Sequence, residues 1–117
     1  MRRASTTNIL RPTPARATDL AKAYLVAQIE IHEPSGYDAY RSRTGPVIER
    51  FGGKFLVRGG TLHPLEGEPD FSRLVIIEFP DLEAAQSFYD SADYQVLIPH
   101  RTDNARSMLL IAEGPAA

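Results

Sequence analysis

Residues 23–31 alternate between an apolar set and a mixed set, and this period of two predicts a β-strand. One face of the predicted strand is entirely apolar. The other face is mixed and carries Tyr24, Val26, Gln28 and Glu30. The apolar face of the strand should therefore pack on the core, and the mixed face should lie in a more polar environment.

The next segment predicts a helix, because core-type residues recur at spacings of three and four between Tyr37 and Phe51. Ser35 and Asp38 resemble a capping box at its start. Gly45-Pro46 should interrupt the helix with a kink at the proline. Gly52-Gly53 offers the positive-φ stop at its end.

The remaining elements follow from the same patterns. Residues 54–65 predict a second strand, with a bulge or close approach at Gly59-Gly60, and residues 72–79 predict an apolar, central third strand. Asp81 should cap a helix with Leu82, Ala85, Phe88 and Tyr89 inward. Ser91 should cap a short helix that Pro99 ends, and residues 105–113 predict a fourth strand.

The order β-α-β-β-α-β predicts an α+β, ferredoxin-like domain with an antiparallel four-stranded sheet. Right-handed crossovers give the strand order 4-1-3-2, with both helices on one face. The other face should be open and apolar, and a homodimer through this face is the expected way to cover it. The apolar residues predicted there are Val26, Leu56, Leu74, Ile76, Met108 and Leu110.

Charge and composition narrow the classes of partner. The first eighteen residues hold four arginines and no acid, whereas the chain from Asp19 onward holds nine basic and 15 acidic residues. A domain with this excess of acidic residues is a poor phosphate binder, which argues against nucleic acid as a partner. There is no cysteine, so disulfides, thiolate metal sites and cysteine nucleophiles are excluded. No apolar stretch reaches membrane-spanning length and no secretory h-region is present, and we expect a cytoplasmic protein.

Residues 1–21 predict a flexible N-terminal extension, since Pro12 and Pro14 break regular structure and the apolar residues have no period. This Arg-rich, acid-poor stretch also loosely resembles an organelle transit peptide. Residues 22–117 form the predicted folded domain.

Several segments between Ala23 and Gly114 together resemble the domain-of-unknown-function family 1330, a branch of the dimeric α/β-barrel superfamily. The resemblance implies the dimeric barrel fold. It implies little about chemistry, because the superfamily includes cofactor-free monooxygenases, isomerases and haem-handling enzymes. The residues that carry it are Tyr40, residues 52–60, residues 75–80, residues 88–91, Tyr94-Gln95, Arg101 and Glu113-Gly114.

The polar residues predicted on the open face are the first candidates for a site: Gln28, Glu30, Arg58 and Glu78. Arg58 and Glu78 lie on adjacent antiparallel strands and are predicted to be cross-strand neighbours. In one interpretation, Arg58 binds a carboxylate, Glu78 acts as a base, and Gln28 and Glu30 line the same pocket. In the other, Arg58 and Glu78 form an ion pair that fixes the register of the dimer.

Arg73 and Arg101 are further candidates, either as clamps for an acidic ligand or as partners of nearby carbonyls and acids. Tyr40 is the tyrosine most suited to chemistry, because the Gly45-Pro46 kink would open space beside it, although core packing is the ordinary role of such a residue. The histidines have no metal-ligand spacing, and no flavin, haem or phosphate-binding motif is present, so we expect neither a metal nor a cofactor.

Two functional classes fit this sequence. The first is a small cofactor-independent enzyme in which Glu78, Arg58 and Tyr40 act on a small metabolite by proton transfer, isomerisation or mono-oxygenation. The second is a non-catalytic dimeric protein that binds a ligand or partner. With Arg58 and Glu78 on the open face, dimerisation and function are expected to share one surface.

Overall fold

The computed structural model describes residues 21–116, so the extension predicted for residues 1–21 lies, but for its last residue, outside the described part of the chain. The strands are β1 (Ala23–Ile31), β2 (Lys54–Arg58), β3 (Arg73–Phe79) and β4 (Ala105–Glu113). They form one antiparallel sheet in the order β2-β3-β1-β4. The predicted ferredoxin-like α+β fold and strand order are confirmed.

The helices are α1 (Pro34–Arg50), α2 (Leu82–Asp90), α3 (Ala92–Gln95) and α4 (Ile98–Thr102). The predicted capping box at Ser35 and Asp38 is wrong. The helix begins at Pro34, which suits the first turn because its missing N–H would have no partner there, and Glu33 precedes it without a side-chain cap. Helix α1 continues through Pro46 without interruption, and it ends before Gly52, whose φ is 81°.

Two caps predicted from sequence are confirmed. Asp81 Oδ1 accepts a hydrogen bond from the Ala84 N–H at 2.8 Å, and Ser91 Oγ accepts one from the Tyr94 N–H at 3.2 Å. The role given to Pro99 is wrong, because it lies in the first turn of α4 rather than ending a helix. Tyr89, predicted to face inward, is more than one-third exposed.

The second strand departs most from its prediction. It ends at Arg58 rather than at residue 65, and its bulge lies at Leu56 rather than at Gly59-Gly60. Phe55 pairs with Ile77 and Val57 pairs with Ile76, so Leu56 is the extra residue. Because side chains alternate along a strand, one inserted residue moves every later side chain to the opposite face of the sheet.

The core lies between the sheet and the helices. The predicted alternation of β1 is exact there, since Ala23, Leu25, Ala27 and Ile29 are all buried. We call the other side of the sheet the open face, because no helix of the described chain covers it. Its apolar side chains remain accessible: Leu56, Met108 and Leu110 are 46–48% exposed, and Val26, Leu74 and Ile76 are half-buried.

Candidate functional site

A pocket lies between α1 and the helix-covered face of the sheet, and we call it the α1 pocket. Its enclosed part has a volume of about 40 Å³, the space of about three water molecules, and it opens to solvent, so a larger ligand would extend out of its mouth. Most of its wall is apolar, because β1 and β3 turn their core-facing residues toward it. The apolar lining residues are Leu25, Ala27, Ile29, Ile48, Phe55, Val75, Ile77, Phe88 and Leu109.

Three arginines line this apolar pocket: Arg41 from α1, Arg58 from β2 and Arg73 from β3. The Arg58 guanidinium stacks over the Phe55 ring at 4.1 Å and donates to the Arg41 carbonyl at 3.3 Å. No Asp, Glu or His is among the described residues that line the pocket. Arg41 is ion-paired with Asp38, which does not line the pocket, so Arg58 and Arg73 supply its net positive charge. An anion is the ligand charge that such a lining favours.

Arg73 reaches its position because the residue beside it has no side chain. Gly59 has φ 74°, and a Cβ atom built on it would lie 1.9 Å from Arg73 Nη1. The Arg73 Nε is buried and has no hydrogen-bond partner within residues 21–116. Burial raises the pKa of the nearby Tyr37 hydroxyl, while the charge of Arg73 and its hydrogen bond oppose that rise.

Two buried tyrosines line the same pocket and share a hydrogen bond. The hydroxyl oxygens of Tyr40 and Tyr94 are 2.7 Å apart, joined by a hydrogen bond. Burial, followed by the interaction with Tyr94, raises the pKa of Tyr40 far above its ordinary value. Tyr40 is therefore neutral at physiological pH and acts as a hydrogen-bond donor or acceptor rather than as a base.

Arg101 lies behind these tyrosines and does not line the pocket. It is only 5% exposed, its Nη1 donates to Ser107 Oγ at 2.5 Å, and its guanidinium carbon is 5.7 Å from the centre of the Tyr40 ring. Burial alone would lower the Arg101 pKa, but the interactions with the Tyr94 and Tyr40 hydroxyls outweigh it and raise that pKa. Of the two roles suggested by the sequence, pairing with nearby carbonyls or acids is not seen among the described residues, where Arg101 instead lies against the Tyr40 ring and Ser107.

The predicted Arg58–Glu78 pair does not form, and the bulge at Leu56 is the reason. It places Arg58 opposite Val75 on the helix-covered face, whereas Glu78 stays on the open face opposite Lys54. The Glu78 carboxylate instead lies 3.6 Å from Lys22 Nζ and 3.8 Å from Lys54 Nζ. Glu78 consequently cannot act as a base in the α1 pocket.

Gln28 and Glu30 lie on the open face as predicted, but they do not meet Arg58 there. Glu30 accepts two hydrogen bonds from Arg106 on β4, at 2.9 and 3.1 Å. Arg106 also donates to the Asp70 carbonyl at 2.7 Å, so this pair anchors the β2–β3 loop. Gln28 lines a shallow groove beneath that loop.

The sequence interpretation named Tyr40, Arg58 and Arg73, which do line the pocket. It did not assign a binding role to Tyr37, Arg41 or Tyr94. The positions of Tyr37 and Arg41, four residues apart on one helix face, were the available signal for the first two. Within residues 21–116 no group of three His, Asp or Glu side chains is placed to hold a metal ion, and no helix has the length and apolarity to cross a membrane.

The comparison with protein-family models identifies residues 22–115 as a domain of unknown function, DUF1330. The chain belongs to the DUF1330 family. The resemblance seen in the sequence is thus confirmed over nearly all of the described residues. A comparison with curated proteins gives no match.

Solved structures share the fold of this DUF1330 protein at low sequence identity. A protein of unknown function from Rhodopseudomonas palustris, RPA0582, has a TM-score of 0.66 at 22% identity, covering 83% of this chain and 85% of that one. SnoaB, a cofactor-independent oxygenase from Streptomyces nogalater, has a TM-score of 0.59 at 18% identity, covering 83% and 96%. A dimeric ferredoxin-like protein of unknown function from Jannaschia sp. CCS1 has a TM-score of 0.55 at 10% identity, covering 79% and 98%.

Proposed function

We propose that the α1 pocket binds a small organic anion with an apolar body, and that the protein acts on this ligand as a cofactor-independent enzyme. One observation supports binding of an anion. Arg41, Arg58 and Arg73 all line a largely apolar pocket, and no acidic residue is among the described residues that line it. Arg58 and Arg73 form no ion pair with any carboxylate of the described residues. A ligand carboxylate, phenolate or enolate would supply the missing charge.

The arginines can bind an anion more strongly than neutral donors could. Charge-assisted hydrogen bonds from arginine are about twice as strong as neutral ones, and the Nε of Arg73 is buried. The aromatic and aliphatic side chains around the cavity suit a hydrocarbon or ring body. The site thus favours a ligand with one anionic end and one apolar end.

The same groups favour chemistry in which negative charge develops on a substrate oxygen. Arginines and neutral tyrosine hydroxyls stabilise an enolate or phenolate, and this lowers the barrier to isomerisation or to reaction with dioxygen. In a mono-oxygenation of this kind the substrate supplies all four electrons that reduce O₂: a CH₂ group and O₂ give a carbonyl and water. SnoaB, which shares the fold, is described as a cofactor-independent oxygenase.

A second candidate function is ligand binding without catalysis, and the composition of the pocket favours it. No carboxylate or imidazole is among its described lining residues, and the pKa of Tyr40 is too high for it to act as a base. A catalysed substrate must therefore be acidic enough to lose its proton to water or to arrive as an anion. A ligand that stays unchanged in the pocket would identify the protein as a binding protein.

Binding is tested by calorimetric titration with two probes of similar shape, benzoate and benzyl alcohol. We expect the native protein to prefer benzoate, and Arg58→Met and Arg73→Met each to weaken benzoate binding about tenfold. Neither variant should change the binding of benzyl alcohol. Arg43→Met is the matched control, because Arg43 is exposed on α1 and does not line the pocket. Equal affinities for both probes in the native protein would refute the proposal.

Catalysis is tested separately with acidic substrates. Oxygen uptake with an autoxidisable polycyclic phenol, and hydrogen–deuterium exchange at an acidic C–H of a 1,3-dicarbonyl acid, should both exceed the uncatalysed rate. Tyr40→Phe should slow them, because it removes a hydroxyl from the site. Saturable binding with no acceleration of either reaction would support the non-catalytic alternative.

The open face supports a homodimer as part of the same proposal. Its accessible leucines and methionine form an apolar surface that is costly to leave in water, and the Jannaschia protein is described as dimeric. Leu110→Lys should convert the dimer to a monomer in light scattering. Leu65→Lys is the control, since Leu65 is 96% exposed on the β2–β3 loop. A native protein that is monomeric would rule out this interface.

A further inference from the structure

The hydrogen bond between Tyr40 and Tyr94 leaves one hydroxyl hydrogen of the pair unused. The pair has two hydroxyl hydrogens, and one is used in the bond between the two oxygens. The other hydroxyl hydrogen has no acceptor among the hydrogen bonds of the described residues. Both hydroxyls belong to side chains that line the α1 pocket, so a ligand oxygen bound there could accept this hydrogen.

The charge of Arg101 favours one direction for this small network. Its guanidinium lies 5.7 Å from the centre of the Tyr40 ring, and its Nη1 donates to Ser107 Oγ. Hydroxyl dipoles orient in the field of a nearby charge, so the positive guanidinium favours hydroxyls that turn their oxygen toward it and their hydrogen away. The free hydroxyl hydrogen is thereby directed away from Arg101, which does not line the pocket.

The charge of Arg101 is buried without a counter-ion among the described residues. Arg101 is only 5% exposed, and its Nε has no hydrogen-bond partner. No carboxylate among residues 21–116 forms an ion pair with it. A buried charge without a counter-ion costs stability. That cost is understandable where the charge serves to polarise a neighbouring donor.

We propose that Arg101 is a positioning residue that orients the Tyr40–Tyr94 pair, so that one hydroxyl donates into the α1 pocket to a second ligand oxygen. This inference rests on the proposed function and adds to it the class of ligand. The arginines Arg41, Arg58 and Arg73 hold an anionic group, and the tyrosine pair holds a carbonyl, enolate or phenolate oxygen elsewhere on the same molecule. The substrate class is a small bifunctional acid with an apolar body.

Two probes with nearly the same shape test the second oxygen site, 4-acetylbenzoate and 4-isopropylbenzoate. Both carry the carboxylate, but only the first has a carbonyl oxygen. The native protein should bind 4-acetylbenzoate about tenfold more tightly than its apolar counterpart. Tyr40→Phe and Tyr94→Phe should each reduce this preference toward one.

The role of Arg101 is tested by substitutions that separate charge from packing. Arg101→Met keeps an unbranched side chain in the same space and removes the charge, and we expect it to abolish the preference for the acetyl probe. Arg101→Lys restores a cationic donor and should recover part of the preference. Arg50→Met, which removes an exposed arginine paired with Asp93, should leave the preference unchanged. An Arg101→Met protein that is less stable yet keeps the tenfold preference would overturn the proposal.

A measurement without ligand keeps the two proposals distinguishable. The hydroxyl proton between Tyr40 and Tyr94 is buried, so it should exchange slowly and give a downfield proton NMR signal that Tyr94→Phe removes. Arg101→Met should move this signal upfield, and an unmoved signal would overturn the positioning role. If no benzoate binds, the proposed function fails while this experiment still decides the inference. If benzoate binds without the acetyl preference, the inference alone fails.

Discussion

Gly59→Ala should reduce ligand binding through a residue that it does not replace. An added Cβ atom would lie 1.9 Å from Nη1 and 2.4 Å from Cζ of Arg73, which is far inside contact distance. These atoms are the end of a flexible side chain, so the guanidinium moves aside rather than the backbone. The α1 pocket then loses one of its three cations.

The magnitude can be isolated with a second glycine. Gly59 and Gly67 have nearly equal positive φ values, 74° and 73°, and alanine at either position costs about 1–2 kcal/mol of backbone strain. A Cβ atom at Gly67 would meet nothing within 4 Å. The two alanine variants should therefore lose similar stability, and only Gly59→Ala should also lose about tenfold in benzoate affinity.

Urea denaturation gives the stability of each variant, and calorimetric titration with benzoate gives its affinity. Equal benzoate affinities in Gly59→Ala and Gly67→Ala would refute the reasoning, because Arg73 would then either not contact the ligand or not depend on Gly59. A much larger stability loss in Gly59→Ala would show that the backbone, rather than the Arg73 side chain, gives way.

Three further predictions concern stability. Gly53→Ala should cost about 1–3 kcal/mol in urea denaturation, because its Cβ atom would lie within 3 Å of core atoms on α1 and β3, whereas Gly60→Ala meets nothing within 4 Å and should cost about 1 kcal/mol or less. Asp81→Ala should lower the stability by about 1 kcal/mol, since the Ala84 N–H loses its cap, and an unchanged denaturation midpoint would contradict this. Above pH 10 Tyr40 ionises in the unfolded protein but stays neutral in the folded one. As the pH rises, the free energy of unfolding should therefore fall more steeply in the unmodified protein than in Tyr40→Phe, by up to about 1.4 kcal/mol per pH unit.

Most of the fold could be predicted because its signals are local. The alternation along β1 depends only on neighbouring residues, and the caps at Asp81 and Ser91 require just a side-chain oxygen in front of a helix. The strand order followed from connection rules rather than from particular residues. Errors occurred where two signals compete, as at Pro99, where a proline can equally end one helix or begin the next.

The candidate site was harder to predict because it depends on register. Arg58 was assigned to the open face by simple alternation, and no residue around Leu56 marks the bulge that reverses it. Gly59-Gly60 suggested a bulge nearby, but Gly59 instead makes room for Arg73. The Tyr40–Tyr94 contact joins residues 54 positions apart, so it could not be inferred from spacing along either helix.

The bulge also changes how dimerisation and function relate. Had Arg58 stayed beside Glu78, the binding groups and the dimer face would have been one surface. With Arg58 beneath α1, the three arginines lie on the helix-covered side, and the open face keeps Glu78 with its lysine neighbours. Leu110→Lys should therefore disrupt the proposed dimer while leaving benzoate affinity within about twofold of native. A substitution that is distant from a binding site and shares no contacts with it has little effect on binding there. A parallel loss of both would mean that the pocket needs the second copy to hold its shape.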